Sequence, residues 1–198
     1  MVLLDGFIKG VKDLDVLNDK NLTISADSVK RGLVKYWDRD FVRSKINNCR
    51  DSRDRMFLTF LWMSGVRVSE AVGLRKCDID FDNFVMRVRW LKSRKYKERV
   101  VPVHPHLLSL LSVFVGNLRS EDLVFGFSRQ RAFQIVKKRM SDGSPHKFRH
   151  SFAVNWLRSG GRLEVLFRIL GHSKIQTTME YLKIVPTDQG KELIKIEF

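Results

Sequence analysis

Residues 144–181 read SPHKFRHSFAVNWLRSGGRLEVLFRILGHSKIQTTMEY. Ser144 before Pro145 pairs an N-cap with a first-turn residue, because proline lacks only an N–H that the first turn leaves unused and its fixed φ already suits a helix. The helix they open sets Phe148, Phe152 and Trp156 on one apolar stripe and stops at Gly160-Gly161. His146 and Arg149 lie three apart on a different face near its N-terminus, where free N–H groups and the dipole favour an anion such as phosphate. A further helix is predicted over 162–170, ending at Gly171-His172. Ser173-x-x-Gln176 then has capping-box form for a helix that bears Tyr181. Three short helices should therefore present His146, Arg149, His172 and Tyr181.

Working outward, Asp51 or Ser52 can cap a helix whose run RMFLTFLWM is apolar nearly all round, which places it in the core before the break at Ser64-Gly65. A second helix over 66–74 would carry Arg67 and Glu70 three apart on one face, able to hold each other. From 84 to 90, Phe84, Met86, Val88 and Trp90 share one parity and two arginines the other, the pattern of a strand with one buried face. Val100-Val101-Pro102-Val103 returns, so a β-hairpin is expected whose basic tip carries Lys92, Arg94, Lys95, Lys97 and Arg99. Further helices are predicted over 27–37, 104–115 and 129–140, with a turn over 141–144. The fold class is α+β, mainly α, with one small antiparallel sheet.

A chain of 198 residues, 43% hydrophobic and 11% aromatic with only 4 prolines, can bury a core, which excludes wholesale disorder and collagen-like architecture. Its longest apolar stretches, 56–63 and 107–115, fall short of the roughly 20 residues a bilayer span needs. The start, MVLLDGFIKG, lacks a basic n-region and a cleavage site, so a cytoplasmic, DNA-associated location is expected. The 37 basic against 22 acidic residues give a net charge of +15, which points to a polyanionic partner. Cys49 and Cys77 form no Cys-x-x-Cys pair; neither a disulfide framework nor a zinc ribbon can be built, and both are expected as buried thiols.

Three segments, S-G-V-R-V-S-E (64–70), P-H-K-F-R-H-S-F-A (145–153) and L-G-H-S-K-I-Q-T-T-M-E-Y (170–181), resemble in order and spacing the catalytic domain of tyrosine recombinases, the phage-type integrases. The resemblance covers about 38–185 and includes the nine-residue step from His172 to Tyr181. It implies a site-specific recombinase or integrase that cleaves and rejoins double-stranded DNA through a covalent 3′-phosphotyrosyl intermediate, with no cofactor, neither ATP nor metal. It further implies Tyr181 as nucleophile, Arg67 and Arg149 as a phosphate clamp, and His146 and His172 as proton and hydrogen-bond partners, with His146 favoured as base. The chemistry is coherent: a pentacoordinate phosphorane carries extra negative charge that two guanidinium forks can bind. The general acid in relatives is a hairpin lysine, often eight residues before the proline of a Val-Pro step. Here that position is Arg94, so Lys92, two residues earlier on the same parity, is the expected acid, with Lys95 the other candidate. Arg94, Lys95, Lys97, Lys147 and Lys174 are expected to contact DNA.

Fewer than 40 residues precede the resemblance, where relatives carry a helical clamp domain of about a hundred. The expected organisation is a short N-terminal segment (1–37), a catalytic domain (38–185) and an apolar tail (186–198) that packs on another protomer of a DNA-bound tetramer. A different class, a non-catalytic DNA-binding remnant or regulator with the same fold, would need phosphate contacts but no nucleophile. A type IB topoisomerase would use similar residues. A zinc site from His146, His150 and His172 lacks a His-Glu-x-x-His motif, and His150 serves equally as a structural hydrogen-bonder behind the site.

Overall fold

The computed structural model describes residues 34–92, 95–140 and 144–185. Helix α1, Arg39–Asn47, buries Val42 and Ile46 on one side. The predicted core helix is α2, Ser52–Ser64, and Asp51 caps it by accepting from the Asp54 N–H at 2.7 Å. Phe57, Leu58, Phe60 and Leu61 on α2 are all sealed from solvent. At about 1.5–3 kcal/mol per large apolar side chain buried, those four residues make α2 the centre of the domain. Phe57 and Phe60 meet Phe125 with ring centroids 5.1 and 5.2 Å apart. Gly65, in the left-handed region at φ 64°, ends the helix where the Ser-Gly break was expected.

Helix α3 is a single turn, Val68–Val72, shorter than the 66–74 expected. Its start is delayed because Arg67 serves as the N-cap, its backbone N–H donating to Glu70 Oε2 at 2.8 Å. A 3-10 turn, Lys76–Asp78, leads into a three-stranded antiparallel sheet ordered β1 (Ile79–Asp80), β2 (Val85–Lys92), β3 (Lys95–Pro102). Met86 pairs with Val101 and Val88 with Arg99, so Met86, Val88 and Val101 line the inward face, each at most 1% exposed. Arg89, on the outward parity, pairs with the buried carboxylate of Asp78 at 2.6 Å. Two details differ from the sequence reading. Phe84 sits in the preceding turn at φ 56° and is 47% exposed. The tip is tighter than expected, since β2 and β3 already pair at Lys92 and Lys95, which makes Lys97 and Arg99 strand residues.

Helices α4 (Pro105–Phe114), α5 (Arg129–Arg139), α6 (Pro145–Arg158) and α7 (Leu163–Leu170) follow, close to the expected bounds. His104, at the surface, caps α4 by accepting from the His106 N–H through Nδ1. Phe148 on α6 is fully buried, and Phe152 and Trp156 pack against the core as the stripe requires. A short α8 (Gln176–Met179) runs directly into a 3-10 turn, Glu180–Lys183. The capping box of Ser173 does not form: Ile175 occupies the N-cap in helical conformation, without a side-chain cap. The expected helix over 27–37 is not continued through 34–37, where Trp37 instead donates its N–H to Ser151 Oγ at 2.8 Å and meets Phe148 edge-on. Its residues 27–33 lie outside the described residues, as do most of 1–37, the 141–143 turn and the tail. Cys49 is buried as expected, but Cys77 is exposed, because the 3-10 turn that carries it runs along the surface.

Candidate active site

Arg149 projects from the second turn of α6 into the interior, where it is 4% exposed. Its Nη1 donates to the Gly65 carbonyl at 3.0 Å and its Nη2 to the Leu170 carbonyl. Both acceptors are helix C-termini, of α2 and of α7, each closed by a left-handed glycine, Gly65 and Gly171. The two helix dipoles therefore point their negative ends at one guanidinium, which offsets part of its desolvation without supplying a counter-charge. Burial, with Arg67 nearby, lowers its pKa to about 10, so it stays protonated at neutral pH. Its positive charge remains available to an anion.

Arg67 is held differently. Its Nη1 lies 3.0 Å from Glu70 Oε1, and the same carboxylate takes two bonds from Arg99, at 2.7 and 3.0 Å. Glu70 has no exposed side-chain surface. Burial works to raise its pKa, but hydrogen bonds and charge from Arg99, with the N–H and charge of Arg67, outweigh that and hold it below the usual range. One carboxylate thus serves two guanidiniums, leaving this corner net positive.

The histidines and the tyrosine complete the cluster. His172 follows Gly171 at the end of α7 and hydrogen-bonds through Nδ1 to Thr178 Oγ1 at 2.8 Å, which fixes its ring against α8. Burial and then Arg149 and Arg67 lower its pKa to about 4. His146, at the first turn of α6, reaches solvent; desolvation and the charges of Arg149, Arg67 and Arg129 lower its pKa too. Tyr181 is 2% exposed, and its hydroxyl lies 2.9 Å from Nδ1 of His150, a residue half-buried behind it. Burial raises the phenol pKa, against the pull of Arg149 and Arg67. His150, lowered to about 4 by burial and by His146 and Arg149, is neutral, and in the tautomer protonated on Nε2 its Nδ1 can accept from that hydroxyl.

Arg67 joins two adjoining clefts: an open one of about 1140 Å³, also lined by Arg75, Arg89, Arg129 and His172, and a narrow one of about 100 Å³ bounded by His146 and Arg149. The structure brings together Arg67, His146, Arg149, His172 and Tyr181, as the spacing predicts. It adds two residues that sequence reasoning did not place in the cluster, Arg99 and Thr178. The signal for Arg99 was its strand parity with Val101; Thr178 had none. Lys174 and Lys97 are exposed, while Lys147 lies 5.2 Å over the ring of Trp37. Lys92, Arg94 and Lys95 have side chains outside the described residues, although Lys92 keeps the parity of Met86 and Val88 in the strand register.

A family model for the phage integrase family matches residues 38–187. The chain belongs to that family. Among curated relatives it is similar to tyrosine recombinase XerD of Chlorobaculum tepidum, 36% identical over 67% of this chain and 49% of the relative. It is also similar to tyrosine recombinase XerA of Saccharolobus solfataricus, 29% identical over 84% of this chain and 58% of the relative. It spans about half to three-fifths of those proteins. Solved structures with the same fold include a XerA recombinase, with TM-score 0.66, 22% identity and coverage of 84% of this chain and 67% of that one. Another is the catalytic domain of bacteriophage HP1 integrase, with TM-score 0.61, 22% identity and coverage of 82% and 95%. The phage integrase fold thus accounts for the mainly helical domain with its small antiparallel sheet. No helix among the described residues is long and apolar enough to cross a membrane.

Proposed function

We propose that this phage integrase family member is a site-specific DNA recombinase that breaks and rejoins strands through a 3′-phosphotyrosine on Tyr181. The observation that carries this reading is a buried tyrosine hydroxyl within reach of the charges of two differently held arginines, Arg67 on the open basic cleft and Arg149 on the narrow one that adjoins it. Tyr181 Oη attacks the phosphorus, its proton leaves to a histidine, and the 5′-oxygen departs with a proton from a general acid, conserving one phosphoester bond throughout. Arg67 and Arg149 bind the non-bridging oxygens, whose added charge in the transition state they stabilise more than the ground state. His172, ring fixed by Thr178, is positioned to donate to one of them. Among the described residues the hydroxyl's hydrogen-bond partner is His150, so the base role assigned to His146 is shared with, or taken by, a neighbour four residues on. Lys92 is the proposed acid, and the clamp, cleft and exposed lysines are proposed to follow the DNA backbone, in keeping with a net charge of +15. Similarity to a XerH recombinase bound to its difH DNA, with TM-score 0.63 and 19% identity over 83% of this chain and 55% of that one, supports the fold from which such contacts are made. The action on DNA as a homotetramer, the three-part domain organisation and a cytoplasmic location belong to the same proposal.

The test needs no known target. Wild-type and Tyr181→Phe proteins are mixed with supercoiled plasmid in EDTA, then assayed for retention, relaxation and SDS-stable adducts. An adduct made by the wild type and lost in Tyr181→Phe is the expected result. Equal adduct from both would remove Tyr181 from the chemistry, and retention without any adduct would favour a DNA-binding role.

A further inference from the structure

We propose that Arg99 is a positioning residue that locks the β-hairpin, the Arg67 clamp and the loop bearing His172 into one register; its catalytic consequence rests on the recombinase reading above. Arg99 faces inward on β3, opposite Val88 in the register and next in the row to the buried Val101. A cation at the end of an apolar row needs partners. Its two terminal nitrogens grip Glu70 at 2.7 and 3.0 Å, and Nε donates to the Ile169 carbonyl at 3.1 Å. Three of its five N–H groups are therefore committed within the protein, its side chain is only 11% exposed, and its guanidinium lies 5.2 Å from the Trp90 ring centroid.

Each partner belongs to a different part of the site. Glu70 holds both the backbone N–H and the guanidinium of Arg67. Ile169 lies three residues before His172. A Cβ at Gly171 would sit 2.8 Å from Arg99 Cδ, so the arginine stem packs directly on the backbone that delivers His172. A planar fork can satisfy a carboxylate along one edge and a carbonyl through Nε at the same time; an ammonium cannot. Hairpin, α3 and the end of α7 are joined through this one group.

The experiment compares wild type, Arg99→Met, which keeps an apolar stem, and Arg99→Lys, which keeps the charge. Hydrogen exchange of the free full-length chain is followed over 65–72, 168–174 and, as an internal reference, 52–64. Arg99→Met should exchange at least about fivefold faster in the first two segments while 52–64 keeps its protection. Arg99→Lys, able to reach Glu70 but not Ile169 as well, should loosen 168–174 alone. On supercoiled plasmid, Arg99→Met should retain DNA within about threefold of wild type but form Tyr181-dependent adduct at least about tenfold more slowly, since small misplacements at a reacting centre act on rate rather than binding. Wild-type exchange over 65–72 and 168–174 in Arg99→Met would overturn the inference, as would an unchanged adduct rate. If Arg99→Met fails to fold, Arg99→Lys decides: protection of 168–174 equal to wild type overturns it. Should the wild type itself make no Tyr181-dependent adduct, the recombinase reading fails, while the exchange pattern still decides whether Arg99 couples the three parts.

Discussion

Arg149 and Tyr181 show how little of a residue's state is written in its letter. The Arg149 position follows from Ser144-Pro145 and helical spacing, but its seat between two helix C-termini does not, because Gly65 and Leu170 approach α6 only in the folded domain. Replacing Arg149 by alanine should lower the cleavage rate by about a hundredfold or more if the guanidinium binds the transition state, measured as adduct formation per bound plasmid. His146 was favoured over His172 as the base for Tyr181, and the hydroxyl's hydrogen bond is to His150; the sequence placed His150 behind the site, yet four-residue spacing alone cannot say which ring meets the tyrosine. His150 and His172, both lowered to about 4, carry a pH prediction with a definite sign. Below about 6.5 the unfolded chain takes up protons on these rings that the folded chain refuses until near pH 4. Thermal stability should therefore fall as pH drops through that window, and His150→Gln should flatten the slope over the same range. A steeper dependence in His150→Gln would contradict the neutral assignment.

At the scale of elements, boundaries set by local chemistry were legible and those set by tertiary contacts were not. Asp51 or Ser52 before a nearly all-apolar run and Ser64-Gly65 after it delimit α2 from sequence to within a residue. Asp51→Ala should reduce unfolding free energy by about 1 kcal/mol in chemical denaturation, the loss of one N-cap. Gly65→Ala should be harsher: besides the left-handed φ, the new Cβ would meet the Phe152 ring at 2.4 Å and shift the carbonyl that Arg149 uses. A shift in denaturation midpoint smaller than that of Asp51→Ala would contradict the packing. By contrast, Ser173-x-x-Gln176 looks like a capping box, but Thr178 is drawn to His172 and the turn becomes helical one residue before Gln176. The hairpin was legible by parity and its tip was not, since nothing in a run of basic residues marks where two strands close.

The molecule as a whole carries +15, and that figure alone pointed to a polyanion before any motif did. DNA retention should fall steeply and log-linearly with salt, with the same slope for wild type and Tyr181→Phe, because removing one buried hydroxyl releases no counterion. A changed slope would place Tyr181 among the binding contacts rather than the chemistry. Composition and three short motifs thus reached the family and the fold. The pairing of charges inside the domain, Glu70 with two arginines and Arg149, among the described residues, on two carbonyls, is set by tertiary contacts that no motif spells out. That last difference has a physical consequence. A carboxylate can be extinguished by acid; a peptide carbonyl has no proton to gain in that range. Only acid below the usual carboxylate range, where Glu70 gains its proton, unstraps the Arg67 arm of the clamp, while the Arg149 arm is mounted on groups that do not titrate.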